Sequence, residues 1–201
     1  MRMKTIWAVA VVSAVLAGCS YKSVPDPALS KTDAKYMAKI PDFAMDVNYE
    51  RYEVEYSSNE KPGTVIVDTK SNFLYYILSS KMAIRYGAAT GAQAFGWTGV
   101  ASVRRKAEWP RWMPPADMLK RWPHLAPTAR AGGLNGGPDN PLGARALYLY
   151  QGNRDTLYRI HGTNEPDKIG QSVSSGCIRM RNIDVVDLYN RVKLGAKVVV
   201  R

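Results

Sequence analysis

Thr64-Val65-Ile66-Val67-Asp68, the turn Thr69-Lys70-Ser71-Asn72, and Phe73-Leu74-Tyr75-Tyr76-Ile77-Leu78 decide the fold class of this 201-residue chain. Two short runs crowded with β-branched and aromatic residues, parted by a polar turn-forming tetrapeptide, are the pattern of adjacent antiparallel strands. Ser79-Ser80-Lys81 then turns the chain into Met82–Tyr86, so a three-strand meander is expected. Downstream, the Gly- and Ala-rich segment from Gly87 to Gly99 reads as a corner and not as packed core. Ala144–Tyr150 and Leu157–Ile160 read as two more strands, the second ending at His161. Asn182 is placed to cap a helix in which Val185, Leu188, Tyr189 and Val192 have the spacing of a buried face. Gly195 ends that helix, and Lys197–Val200 reads as a closing strand. The expectation is a mainly β domain with a short C-terminal helix followed by a strand.

Between the meander and the later strands, residues 101–143 are set apart by composition. Trp109-Pro110-Arg111-Trp112-Met113-Pro114-Pro115 stiffens the chain, Pro115 can open a short helix through Trp122, and Pro123 stops it. Gly132-Gly133 and Gly136-Gly137-Pro138 break the chain again. This long Pro/Gly/Trp-rich insertion is expected to be ordered and to cover a substrate, the plainer reading being surface packing. Upstream, residues 19–61 are polar and interrupted by Pro25, Pro27 and Pro41, and read as a linker with a helical turn or two at Ala34–Ile40.

The N-terminus bears on the compartment. Arg2 and Lys4 precede an apolar run, Ile6–Leu16, too short for a permanent membrane span and flanked as a signal peptide is. Leu16-Ala17-Gly18-Cys19 resembles the lipobox of bacterial lipoproteins, which implies a signal peptide over 1–18 and lipidation at Cys19. Several acyl chains would anchor the protein stably to a membrane. By the sorting rule for lipoproteins, Ser20 after the cysteine points to the outer membrane, hence a periplasmic, lipid-anchored location. The chain holds two cysteines, so lipidation of Cys19 leaves Cys177 no second cysteine for an intramolecular disulfide. Formal net charge is +11, from 28 basic and 17 acidic residues. No basic run carries interleaved aromatics, so nucleic acid is not expected as a partner. A polyanionic wall, an anionic membrane surface or plain solubility accounts for the charge.

Chemistry concentrates in two segments. His161-Gly162-Thr163-Asn164-Glu165-Pro166 closes a strand, and Ser174-Ser175-Gly176-Cys177-Ile178-Arg179-Met180 follows. A thiol must become a thiolate to attack an acyl carbon, and a nearby imidazole lets it do so at neutral pH. Gly176 removes bulk beside the nucleophile, so that main-chain N–H groups could reach an oxyanion. Arg179 reads either as a carboxylate-binding group and brace of the turn or as half of an ion pair. Ser174 reads as a turn residue and a candidate for substrate binding, and Arg145 and Tyr148 are further candidates for the cleft. His124 lies in the insertion without such neighbours.

These segments resemble the L,D-transpeptidase catalytic domain of the YkuD type, which carries a His-Gly-Thr segment followed by Ser-x-Gly-Cys-Ile-Arg. Trp109–Pro115, Asn140-Pro141-Leu142-Gly143 and the C-terminal helix and strand fit one branch of that family. The resemblance covers residues 62–201. Many members have histidine where Ser175 stands, so no catalytic role is carried to that position. The resemblance implies a sandwich-like, mostly β fold. It further implies that Cys177 attacks the diaminopimelate carbonyl of a peptidoglycan tetrapeptide stem and expels D-alanine. His161 would act as general acid and base, and the Gly162 carbonyl would orient its ring. An amine acceptor would resolve the thioester, and no metal or organic cofactor is implied. The acceptor could be another stem, a lysine of an outer-membrane protein or lipoprotein, or a free D-amino acid.

Two other readings stay open. One is a cysteine hydrolase of the wall, including an L,D-carboxypeptidase on this same fold, in which water resolves the thioester. Papain-like and NlpC-type peptidases place cysteine before histidine, the reverse of the order here. The other is a non-catalytic wall-binding lipoprotein. Two histidines and one remaining cysteine make a poor zinc set, which needs three or four ligands.

Overall fold

The computed structural model describes residues 21–91, 97–172 and 176–201. In chain order its elements are β1 (Lys22–Ser23), α1 (Lys31–Met37), β2 (Tyr52–Glu55), β3 (Val65–Asp68), β4 (Phe73–Ile77), β5 (Met82–Gly87) and β6 (Gly99–Glu108). They continue as α2 (Ala116–Arg121), α3 (Ala126–Arg130), β7 (Arg145–Gln151), β8 (Arg154–His161), β9 (Ile178–Arg179), α4 (Asn182–Arg191) and β10 (Lys197–Val200). The described strands form one sheet in the order β1-β2-β5-β4-β3-β10-β6-β7-β8-β9.

The expected meander is present as β3–β4–β5, with Ile66 opposite Tyr75 and Tyr75 opposite Arg85. Because side chains alternate across a strand, each strand sends one set of residues inward and the other outward. Val65, Val67, Leu74 and Tyr86 meet Val103, Leu147, Leu149, Ile160 and Ile178 in one core, so the sheet bends over on itself. Val185, Val186, Leu188 and Val192 of α4 belong to the same core. The closing strand β10 runs parallel to β3 and antiparallel to β6, joining the meander to the second half of the sheet.

Three expectations change. Residues 99–108 are not part of the insertion but a ten-residue strand, β6, between β10 and β7. A bulge between Val103 and Arg105 breaks its period-two pattern, and outward arginines mask it in the sequence. Ala88, Ala89 and Thr90 are fully buried, so this corner is part of the packing. There is no room for a larger residue at its start, since a Cβ at Gly87 would collide with the Tyr49 backbone.

The segment read as a linker is folded where it is described. β1 pairs with β2, and β2 pairs with β5. Two buried acid–base pairs fasten it. Arg145 donates two hydrogen bonds to Asp33, at 2.8 and 2.9 Å. Arg51 donates to Asp184 of α4 at 3.0 Å and to Asp26 at 2.7 Å. Asp33 also accepts from Trp109 Nε1 at 2.8 Å and closes a capping box with Ser30 at the start of α1. Burial alone would raise the Asp33 pKa, but bonds from Arg145, Ser30 and Trp109 hold it far below the usual carboxylate range.

The insertion has an ordered base and an outlying tip. Trp112 and Leu134 bridge two antiparallel segments. Asn140 ties the base by donating to the carbonyls of Pro110, Leu134 and Asn135. Pro115 opens α2 and Trp122 ends it, and neither α2 nor α3 buries a residue.

Candidate active site

β8 delivers His161 as its last residue. Ile160 is wholly buried in the core, so Arg159 and His161, on either side of it, point to the other face of the sheet, where His161 is itself buried. On β7 the residues opposite them are Tyr148 and Ala146, and on β6 Arg105 lies opposite Tyr148. β9 runs parallel to β8 with Ile178 beside Ile160 and Arg179 beside His161. Cys177, the residue before β9, therefore lies next to Arg159. Its thiol donates to the Leu157 carbonyl at 3.9 Å, and the Arg159 main-chain N–H is directed to the same sulfur. Leu157 stands at φ +63° where the β7–β8 register shifts, a bulge beside Cys177. Gly176 is at φ +121°, a conformation that favours glycine over any residue with a Cβ.

The imidazole is fixed by main chain. His161 Nδ1 lies 2.6 Å from the Gly162 carbonyl oxygen. A carbonyl only accepts, so Nδ1 carries the proton and Nε2 is the basic nitrogen. The Gly162–Thr163 turn is in turn pinned by Asn182, the first residue of α4. Asn182 Oδ1 accepts from Ala144 N at 2.8 Å and Thr163 N at 3.3 Å, while its Nδ2 donates to Thr163 O at 2.7 Å. The approach is so close that a Cβ at Gly143 or Gly162 would collide with Asn182 Oδ1. Asn182 is thus not the helix cap expected from the sequence. Arg181 occupies that position without a side-chain capping bond, and the Asn182 amide serves the turn behind His161.

Burial and the Arg179 and Arg159 charges push the His161 pKa down to about 4, against the opposing bond to the Gly162 carbonyl. Burial also pushes the Cys177 thiol up, against the Arg159 N–H and the charges of Arg159 and Arg179. Both groups are therefore uncharged at neutral pH in the resting state. A thiol with a neutral imidazole suits proton transfer during attack, with the imidazole as general base.

Of the other sequence candidates, Tyr148 lies on the outward face with its ring between Arg105 and Arg159, at 4.5 and 4.4 Å. Arg179 lies on the same side and is ion-paired with Glu165 at 2.9 Å. Arg145 does not line this face. It is three residues from Tyr148, hence of opposite parity, and its side chain is committed to Asp33 and lies over the Tyr189 ring. Ser174 and Cys19 lie outside the described residues.

The family model for the L,D-transpeptidase catalytic domain (YkuD) matches residues 62–200. "Putative L,D-transpeptidase YqjB" of Bacillus subtilis (strain 168) is 37% identical over 147 residues, covering 71% of this chain and 74% of that protein. The chain spans less than half the length of the next curated relatives, 42% and 43%. A Brucella melitensis crystal structure, described as a probable carnitine operon oxidoreductase, is 48% identical. It covers 78% of this chain and 96% of its own, with a TM-score of 0.54. The Enterococcus faecium L,D-transpeptidase C442S mutant shares the fold at 17% identity, with a TM-score of 0.50 over 70% of this chain and 50% of its own.

Proposed function

Since this chain belongs to the L,D-transpeptidase catalytic-domain family, we propose that it is a peptidoglycan L,D-transpeptidase acting through Cys177 and His161. The observation that supports the reading most is the parallel pairing of β8 with β9, which sets the His161 and Cys177 segments on neighbouring strands, with the imidazole Nδ1 tied to a carbonyl. In the acylation step the Cys177 sulfur bonds to the carbonyl carbon of the diaminopimelate in a tetrapeptide stem. Its proton passes to His161 Nε2, and the main-chain N–H groups of Gly176 and Cys177 are assigned to the oxyanion. Collapse of the tetrahedral intermediate breaks the C–N bond, and the imidazolium returns the proton to the departing D-alanine amine. An acceptor amine then attacks the thioester, gives its proton to the imidazole and releases the thiol. Another stem, a lysine of an outer-membrane protein or lipoprotein, or a free D-amino acid would supply the amine, and water in its place would give the carboxypeptidase outcome.

Lipidation at Cys19 and a periplasmic outer-membrane location complete the proposal. β1 starts at Lys22, three residues after Cys19. At about 3.5 Å per extended residue, that spacing would hold the sheet within roughly 10 Å of its anchor, in place of the long tether expected from the sequence.

The test is turnover of a diaminopimelate tetrapeptide with and without an amine acceptor, followed by mass spectrometry. Wild type should release D-alanine and join the stem to the acceptor, Cys177→Ala should do neither, and His161→Ala should be slowed about 10²–10⁴-fold. Full turnover by Cys177→Ala would overturn the assignment. Release of D-alanine with no joined product under any acceptor would assign the hydrolytic reading instead.

A further inference from the structure

Arg105, Tyr148 and Arg159 form one row across β6, β7 and β8, each directly opposite the next. The same row runs on to Cys177, whose sulfur is met by the Arg159 main-chain N–H. The Tyr148 ring lies between the two guanidinium groups, 4.5 Å from that of Arg105 and 4.4 Å from that of Arg159. A guanidinium stacked on a ring keeps its in-plane N–H donors turned outward, where a carboxylate can be met edge-on by two of them. Arg159 already uses its fork on Asp155, with bonds of 2.7 and 2.9 Å, and Arg179 is paired with Glu165. Arg105 is exposed, and no ion pair to it is formed among the described residues. Three guanidinium groups against two carboxylates leave this face with a surplus positive charge. The Arg105 charge reaches Asp155 through space, but among the described residues Arg105 is the one of the three with no carboxylate in contact.

We propose that Arg105, held over the Tyr148 ring, binds a carboxylate of the acyl donor and thereby sets the reach and specificity of the donor site. The inference rests on the transpeptidase reading above. The carboxylate proposed to be bound is one that stays on the acyl part after D-alanine has left. It is either the side-chain carboxylate of the diaminopimelate or the carboxylate of the residue before it. Three strand spacings of about 4.8 Å separate the Cys177 and Arg105 positions, roughly 14 Å, and the arginine side chain spans part of that gap. A donor lying across the strands, with its scissile carbonyl at the thiol, would therefore carry a neighbouring carboxylate toward the row. Arg104, the adjacent residue, is also exposed but bonds to Asn153 and serves as the control.

The test compares three donors: the stem with all carboxylates, the stem amidated at the diaminopimelate side chain, and the stem amidated at the preceding residue. For wild type, one of the two amidations should raise the donor KM about 10–100-fold, the range of a lost hydrogen-bonded charge pair, and the other should change it little. Arg105→Gln should raise KM by a similar factor on the all-carboxylate stem, with kcat within about threefold. It should add nothing on the sensitive amidated stem. Arg105→Lys should recover part of the loss, and Arg104→Gln should match wild type. If Arg105→Gln weakens all three donors equally, or none, the site is overturned while the transpeptidase reading stands. If wild type acylates on none of the three although Cys177 still reacts with an alkylating reagent, the transpeptidase reading falls and takes the site with it.

Discussion

Arg145 on β7 and Arg159 on β8 are near neighbours in the sheet, yet the fold puts them to opposite uses. Arg145 is turned away from the face that carries Cys177 and His161 and its side chain is 5% exposed, locked by two hydrogen bonds to Asp33. Arg159 faces outward beside Cys177 and shares the Tyr148 ring with Arg105. On the inward side every arginine charge is met by a carboxylate, and the lead-in residues 21–55 supply a member of each pair, Asp33 in one and Arg51 in the other. On the outward side cations exceed their partners. The lead-in segment thus completes the packing of the domain, whereas the face that carries Cys177 and His161 keeps an excess of positive charge, which the proposed donor site would use.

Removing an inward partner should have the largest effect on stability. Asp33→Ala leaves the buried Arg145 with only the longer, 3.8 Å contact to the exposed Glu108 carboxylate, and denaturant unfolding should show a loss of about 3–5 kcal/mol. Replacing both by apolar residues of similar volume should restore most of it. On the outward side Arg105→Gln should shift stability by no more than about 0.5 kcal/mol. Equal losses at the two positions would break the comparison.

A second effect is the pH dependence of stability. The folded-state pKa of His161 is depressed from 6.5 to about 4, so the native state resists protonation that the unfolded chain accepts. Stability from this residue is therefore complete above about pH 6.5 and is lost as pH falls toward 4. At about 1.4 kcal/mol per unit this amounts to about 3 kcal/mol. Denaturation curves across pH 4–7 should be measurably flatter for His161→Gln. An unchanged slope would place the imidazole in a solvated setting and remove the reason for its neutral resting state. The acid limb of kcat/KM should likewise fall near pH 4.

A smaller effect is expected at Asn182. Asn182→Ala removes three hydrogen bonds behind the His161–Gly162–Thr163 turn. Loss of that support should lower kcat about 10–100-fold with a smaller change in KM, because misplacement affects the reacting geometry more than donor contact. A pure KM effect would show that the amide acts on binding instead.

The meander, the C-terminal helix and strand, and the His161 and Cys177 segments were legible because each depends on local pattern or on a specific motif. The sequence did not separate Arg145 from Tyr148. Which of them faces outward depends on strand parity, and a shift of one residue reverses every side chain. β6 was hidden by its bulge and its outward arginines. Asn182 was read as a cap because an asparagine ahead of a helix has the same local signature whether it serves the helix or a distant turn. The lead-in was read as a linker because polar contacts across long separations fasten it. Asp33 and Arg145 are 112 residues apart, and Arg51 and Asp184 are 133 apart. No apolar periodicity announces such pairs.

The most direct test of the central claim is intact-mass measurement of the full chain after brief incubation with a diaminopimelate tetrapeptide and no amine acceptor. The account predicts an adduct equal to the stem less D-alanine, carried on Cys177, cleaved by added hydroxylamine and missing in Cys177→Ala. The account would be contradicted by an adduct on a different residue, or by D-alanine release in Cys177→Ala at the wild-type rate.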